Sequence, residues 1–166
     1  QGLQGFSGLQ AANSVEDTTL ALNDPEAGLN FTPTNGSFVV HVKNKITGLS
    51  TSTLVQVDLD GANGNDTTLD SLTADLDAID NITATTSGGR LSIRTDATDV
   101  EISFSQDNSG TLAALGVNNF FTGKNASDIA VQGTIKSNPS MLAAAKNGQP
   151  ADNQSARAIA DLENTA

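Results

Sequence analysis

The chain has 166 residues, a length that supports one sizeable core or two small ones sharing a seam, with 8 basic and 19 acidic side chains, a net charge of −11, and an apolar content of 37%, low for a compact domain but well above that of disordered chains. Its acidity argues against nucleic acid and against an anionic membrane surface as partners, and no apolar run approaches the roughly 20 residues that span a bilayer. The absence of cysteine excludes a disulfide scaffold and a thiolate metal site, while the wealth of Thr, Ser, Asn, Asp and Gly predicts a β-rich fold with many turns.

From Gln1 to Asn13 the chain is Gly-rich and poorly patterned, with Leu3, Phe6 and Leu9 as scattered apolar anchors. It reads as irregular chain leaving an element that precedes it. Val15 to Leu22 is a short strand or a turn, ended by Asn23-Asp24-Pro25. Thr32-Pro33-Thr34-Asn35-Gly36 is turn chemistry and marks a boundary.

A patterned unit follows. Phe38, Val40 and Val42 alternate with Val39, His41 and Lys43, the two-residue period of a strand, and Val55, Val57 and Leu59 repeat it. Leu69, Leu72, Leu76 and Ile79 fall on one helical face, with Asp66 or Thr67 as the expected cap and Asp70 in the first turn. Ile82 and Ala84, then Leu91 and Ile93, alternate around Ser87-Gly88-Gly89, a hairpin signal, and Val100, Ile102 and Phe104 make a further strand. The predicted order over 36–104 is therefore ββαβββ, with one face of a sheet laid over the amphipathic helix and the other left polar.

Beyond Phe104, Thr111 to Leu115 reads as a short helix stopped by Gly116. Phe120-Phe121 is the only adjacent aromatic pair, expected to anchor a core or a subunit seam. Ile129-Ala130-Val131 is a strand candidate, Pro139 opens a helical turn through Leu142, and Pro150 and Asp152 open a helix carrying Ala156, Ile159 and Leu162. That pattern is still running at Ala166, so the natural protein is expected to continue.

Asp58-Leu-Asp60-Gly-Ala-Asn63-Gly-Asn65-Asp66 is the best candidate for chemistry, since carboxylates and amides spaced around glycines can wrap a hard cation such as calcium. The EF-hand spacing fails, with no glycine at the sixth loop position and no glutamate at the twelfth. The competing reading is a Gly/Asn turn between strand and helix, with Asp66 as cap. His41, the only histidine, lies on the outward face of its strand, and no nucleophile-elbow motif accompanies it, so no catalytic residue is expected. Between Lys45 and Arg90 there are seven aspartates and no basic residue, which is either a solvated face or an acidic patch for a basic partner.

The stretch Leu112-Ala-Ala-Leu-Gly-Val-Asn-Asn-Phe-Phe-Thr-Gly123, with Asn125-Ala-Ser-Asp-Ile-Ala-Val131, resembles the C-terminal region of the flagellar hook-associated protein 1 family. So does Asn138-Pro-Ser-Met-Leu-Ala-Ala-Ala145, followed by Gly148, Asp152-Asn153 and Ala158-Ile-Ala-Asp-Leu162. Residues 36–116 look like the sheet-plus-helix insert of flagellar axial proteins. The resemblance implies a structural protein of the hook–filament junction, exported without a cleaved signal and located outside the cell. Its implied partners are copies of itself in a ring, neighbouring axial proteins and an export chaperone; no cofactor is implied. On this reading, residues 1–35 and 105–166 form a base returning the chain toward missing axial helices, with both ends side by side. Residues 36–104 are then an inserted outer module, and the fold class is α+β and β-rich. The runner-up from another class is a secreted, calcium-dependent adhesion or binding module.

Overall fold

The structure, a computed structural model, describes residues 5–117, 121–122, 130–131 and 136. The fold is α+β and β-rich, and among the described residues every strand pair is antiparallel. In chain order the elements are β1 (Gly8–Gln10), a single 3-10 turn at Pro25–Ala27, β2 (Gly36–Asn44), β3 (Ser50–Val57), α1 (Leu69–Asp77), β4 (Ile82–Ser87), β5 (Arg90–Thr95), β6 (Val100–Ser105), α2 (Thr111–Leu115), β7 (Phe121–Thr122) and β8 (Ala130–Val131).

The ββαβββ order is present over 36–104, but its strands divide between two sheets instead of forming one. β3-β2-β6 make the first, β1-β5-β4 the second, and β7-β8 a separate two-stranded ribbon. The cause of the split lies in the N-terminal segment. Phe6 exchanges backbone hydrogen bonds with Ile102 on the free edge of β6, at 2.9 and 2.8 Å. Three residues later, Leu9 pairs with Ile93 on the free edge of β5. Residues 6–10 thus run along the seam and occupy the edges through which β5 and β6 would otherwise have joined. Within the stretch that reads in sequence as irregular chain, Gly8–Gln10 form a strand, because their ladder partners supply the order that the local pattern lacks.

Period-2 alternation does the rest. Phe38, Val40 and Val42 of β2, Val55 and Val57 of β3, and Val100, Ile102 and Phe104 of β6 are buried, as are Ile82, Ala84, Leu91 and Ile93 of the second sheet. Both inner faces and the apolar stripe of α1 share one buried cluster, and Ala11, Val15, Leu22, Ala27, Leu112, Leu115 and Val117 belong to it. Phe104 bridges Phe6 and Phe38, with ring centroids 5.5 and 6.1 Å away.

Helix α1 lies against β4, with a smaller contact to β3, and Leu69, Leu72 and Leu76 are each at most 1% exposed. Ile79 is buried at 8% exposure but stands beyond the last helical residue, Asp77. Its carbonyl accepts from Ile82 N at 3.2 Å, so it opens the turn into β4.

The cap is neither Asp66 nor Thr67. Thr68 Oγ1 accepts from Ser71 N and Ser71 Oγ accepts from Thr68 N, each at 3.0 Å, a reciprocal capping box of a kind that stabilises a helix by about 1 kcal/mol. Thr67 is instead buried, its hydroxyl accepting from Asp58 N at 2.9 Å and its amide donating to Asp58 O at 2.6 Å. That pair clamps the base of the 58–67 loop, which frees Thr68 to cap.

The β4–β5 turn is Gly88-Gly89 with φ of 56° and 70°, the double left-handed conformation that matches strand twist in a two-residue hairpin. Helix α2 stops at Gly116 as expected, with φ 72°. Its last carbonyls are also taken by the N-terminal segment: Asn13 Nδ2 donates to Ala114 O at 2.8 Å and Asn13 N to Leu115 O at 3.0 Å.

Several expectations fall outside the described residues: the position of Phe120, the Pro139–Leu142 turn, the helix from Pro150, and the relative placement of the two chain ends. Phe121 lies in β7, opposite Val131 of β8, so Ala130 and Val131 of the strand candidate stand in a ladder with the aromatic pair's second member, while Ile129 falls outside the described residues.

Candidate functional site

The 58–66 loop rises between the end of β3 and the cap of α1, held at its neck by the Asp58–Thr67 clamp. Leu59 turns inward and is 7% exposed, and its backbone is pinned on both sides. Leu59 N donates to Asn35 Oδ1 at 2.9 Å, and Asn23 Nδ2 donates to Leu59 O at 3.3 Å. With Leu59 anchored, Asp58 and Asp60 flank it on the outer side and Asp66 returns toward them. Carboxylate oxygens of Asp58, Asp60 and Asp66 all lie within 4.8 Å of one another.

Three of the five predicted ligand residues are therefore brought together. The two asparagines behave differently. Asn65 points its amide nitrogen at Asp58 Oδ2, 2.7 Å away, so it donates a hydrogen bond instead of offering an oxygen. Asn63 sits at the exposed loop tip with φ 59°. Each carboxylate also serves the loop itself: Asp60 Oδ1 accepts from Ala62 N at 2.7 Å, and Asp66 Oδ1 accepts from Gly61 N at 3.0 Å. Calcium takes about 6–8 oxygen ligands, and the cluster supplies three side chains already engaged in closing turns. The same geometry thus works as a self-bonded Asx-rich turn with no ion required. Beside it, Asn35, Gly36, Ser37, Gln56, Val57, Asp58 and Asp60 line an open groove of about 470 Å³. The groove places polar backbone and amide groups next to the carboxylates.

His41 sits on the outward face of β2, between β3 and β6. Its Nδ1 lies 2.8 Å from Ser52 Oγ and its Nε2 2.7 Å from Ser105 Oγ. Both ring nitrogens are taken by hydroxyls, which leaves none for the carboxylate that orients the histidine of a triad. Ser52 stands directly opposite His41 in the β2–β3 ladder, a register that the alternation of the two strands does not itself fix. Ser105 is a diagonal neighbour, reached only once β6 is known to pair with β2. Burial lowers the His41 pKa from its ordinary 6.5 by disfavouring the charged ring. The folded chain then binds fewer protons than the unfolded one around and below pH 6.5. The contribution to stability is whole above that pH and is lost as the pH falls through the folded value. His41→Gln is expected to flatten the pH dependence of the urea midpoint between roughly pH 5 and 7; an unchanged slope would show that the ring does not drive it.

The acidic run lies on the solvated side of α1 and its flanks, where Asp70, Asp75, Asp77 and Asp80 are all exposed. Asp77 has a local task, accepting from Ala84 N at 2.9 Å and so tying the helix end to β4. Among the described residues the one ion pair is Lys43–Glu101 at 3.3 Å, across the outer face of the first sheet. Large apolar side chains are exposed at Phe31, Leu54, Ile46 and Leu49, the last two at the tip of the β2–β3 hairpin. Among the described residues no helix is long and apolar enough to cross a membrane. Comparison with protein-family models and with curated proteins finds no match to this chain.

Proposed function

We propose that this chain is the outward-facing part of a hook–filament junction protein of the bacterial flagellum. On this reading it is extracellular and acts by packing against copies of itself in a ring and against neighbouring axial proteins, not by making or breaking bonds. The observation that carries the reading is the set of linked motifs between Leu112 and Leu162, which resemble the hook-associated protein 1 family in order and spacing. Two features of the described residues agree with it. Gly116 ends α2 within the first motif, and Phe121–Thr122 of the first motif pairs with Ala130–Val131 of the second. The exposed carboxylates of α1 suit a subunit that must stay soluble on its outer side.

The test is genetic and visual. Cells lacking the full-length protein are expected to build hooks without filaments, and the tagged full-length protein should label only the hook–filament boundary. Normal filaments in the deletion strain would end the proposal.

The second reading, a calcium-dependent binding module, is favoured by the approach of Asp58, Asp60 and Asp66. Because one oxygen of each is already bonded within the turn and three side chains fall well short of the roughly 6–8 oxygens that calcium takes, calcium is expected to produce no heat of binding by calorimetry and no shift in melting temperature. A saturable heat together with a raised melting temperature would favour the second reading over the first.

A further inference from the structure

The sequence holds Asn-Gly steps at 35–36, 63–64 and 147–148, the last outside the described residues. An Asn-Gly step is chemically labile because glycine, lacking a Cβ, leaves its backbone nitrogen free to approach the preceding side-chain amide. Whether it reacts depends on what holds the two groups apart, and here the structure separates the two described steps.

At 35–36 both partners are held. Asn35 Oδ1 accepts from Leu59 N at 2.9 Å, which holds the side-chain amide against the neck of the 58–67 loop. Gly36 is the first residue of β2, paired with Val57, and a Cβ there would strike Asn108 Oδ1 and approach the Ser109 backbone at 3.1 Å. Neither group can turn toward the other without breaking the strand end and exposing Leu59. At 63–64 nothing comparable exists. Asn63 and Gly64 are exposed, Gly64 has no neighbour within 4 Å of a Cβ position, and both occupy left-handed backbone, with φ of 59° and 65°. The hydrogen bonds of the loop fall on either side of the tip, at Gly61 and Ala62 before it and Asn65 after it, and the attachments to the core lie further out at Leu59 and Thr67, so the tip can rearrange without disturbing the core.

The geometry points to Asn63-Gly64 as a site of spontaneous, non-enzymatic deamidation, and to Asn35-Gly36 as protected by folding. The Gly64 backbone nitrogen, losing its proton to solvent base, attacks Asn63 Cγ. The new N–C bond closes a succinimide, and the side-chain nitrogen leaves as ammonia, taking a proton from water. Water then opens the ring at either carbonyl, giving aspartate or isoaspartate. No electrons are transferred and no co-reactant besides water is needed. The product adds a carboxylate to a loop that already carries Asp58, Asp60 and Asp66. In the isoaspartate form it also lengthens the backbone by one carbon at the tip. The neighbouring Asp60-Gly61 step is held in check, since a carboxylate is a poor electrophile and Asp60 Oδ1 is bonded to Ala62 N at 2.7 Å.

The test is ageing of the folded chain in mildly alkaline buffer, with peptide mapping by mass spectrometry and enzymatic methylation of isoaspartate. Deamidation raises the peptide mass whereas isomerisation of Asp60 does not, so the two are told apart. Asn63 is expected to convert on the order of tenfold faster than Asn35, the ratio imposed by a retained hydrogen bond and a paired strand end. In concentrated denaturant the ratio should fall to about one, because both steps are then Asn-Gly in open chain. Asn63→Ser should remove the product from the 63–64 peptide and leave the Asn35 rate unchanged. Equal rates in the folded chain, or a ratio that survives denaturant, would overturn the proposal.

Discussion

Leu72→Ala is expected to lower the unfolding free energy by about 3 kcal/mol, within the range of roughly 2–5 for a buried leucine. Leu72 is fully buried at the middle of the α1 stripe, between Leu69 and Leu76, with the second sheet beneath it. Two losses add together: the transfer energy of the removed carbons, and the cavity that two flanking leucines and a β-sheet cannot collapse to fill. For a chain of this size the melting temperature should fall by about 10 °C. Asp75→Ala, on the exposed side of the same helix, is the matched control and should stay within about 0.5 kcal/mol of the parent. The check is urea unfolding with an unchanged slope, so that the midpoint alone reports stability. A Leu72→Ala loss below about 1 kcal/mol would mean that α1 is peripheral to the fold.

The adjacent glycines of the β4–β5 turn should respond very differently to the same substitution. Gly88→Ala meets open space and carries only the left-handed backbone penalty of its φ of 56°, about 1 kcal/mol. Gly89→Ala has a similar φ, 70°, but its Cβ would be driven into the backbone carbonyl of Val15. The Gly89 carbonyl also accepts from Val15 N at 2.8 Å, so relief by moving the segment away breaks that bond and lifts buried Val15 from the core. The expected loss is about 3 kcal/mol or more, the sum of backbone strain, one hydrogen bond and part of a valine's burial. Thermal melts of the two variants side by side settle it. Equal losses would show that the N-terminal segment does not seat on the hairpin turn.

That contrast marks the boundary of what pattern alone can reveal. The Gly88-Gly89 turn was legible because a two-residue hairpin demands left-handed backbone at both positions. Nothing in the alternation of Ile82, Ala84, Leu91 and Ile93 announces that residue 15 will sit against one glycine and not the other. The cap of α1 makes the same point. Asp66, Thr67 and Thr68 all have capping chemistry, and the choice fell to Thr68 because Thr67 was needed to clamp Asp58 across the loop. In the loop itself, spacing correctly grouped Asp58, Asp60 and Asp66. It could not show that Asn65 turns its nitrogen inward, since an asparagine's sequence position says nothing of which end of its amide faces a neighbour.

By itself, then, the amino-acid order determined the periodic elements: the strands of 36–104, the buried stripe of α1, the hairpin turn and the stop at Gly116. These follow from residue size, backbone freedom and a repeat of two or 3.6, all of which act over a few neighbours. The division into two sheets, the recruitment of residues 6–10 to the seam, the pairing of His41 with Ser105 and the protection of Asn35 were decided only in the folded chain. Each depends on which free edge or polar group is still unpaired once the local elements have formed, and partners distant in sequence compete for that place with no local signal of who will win.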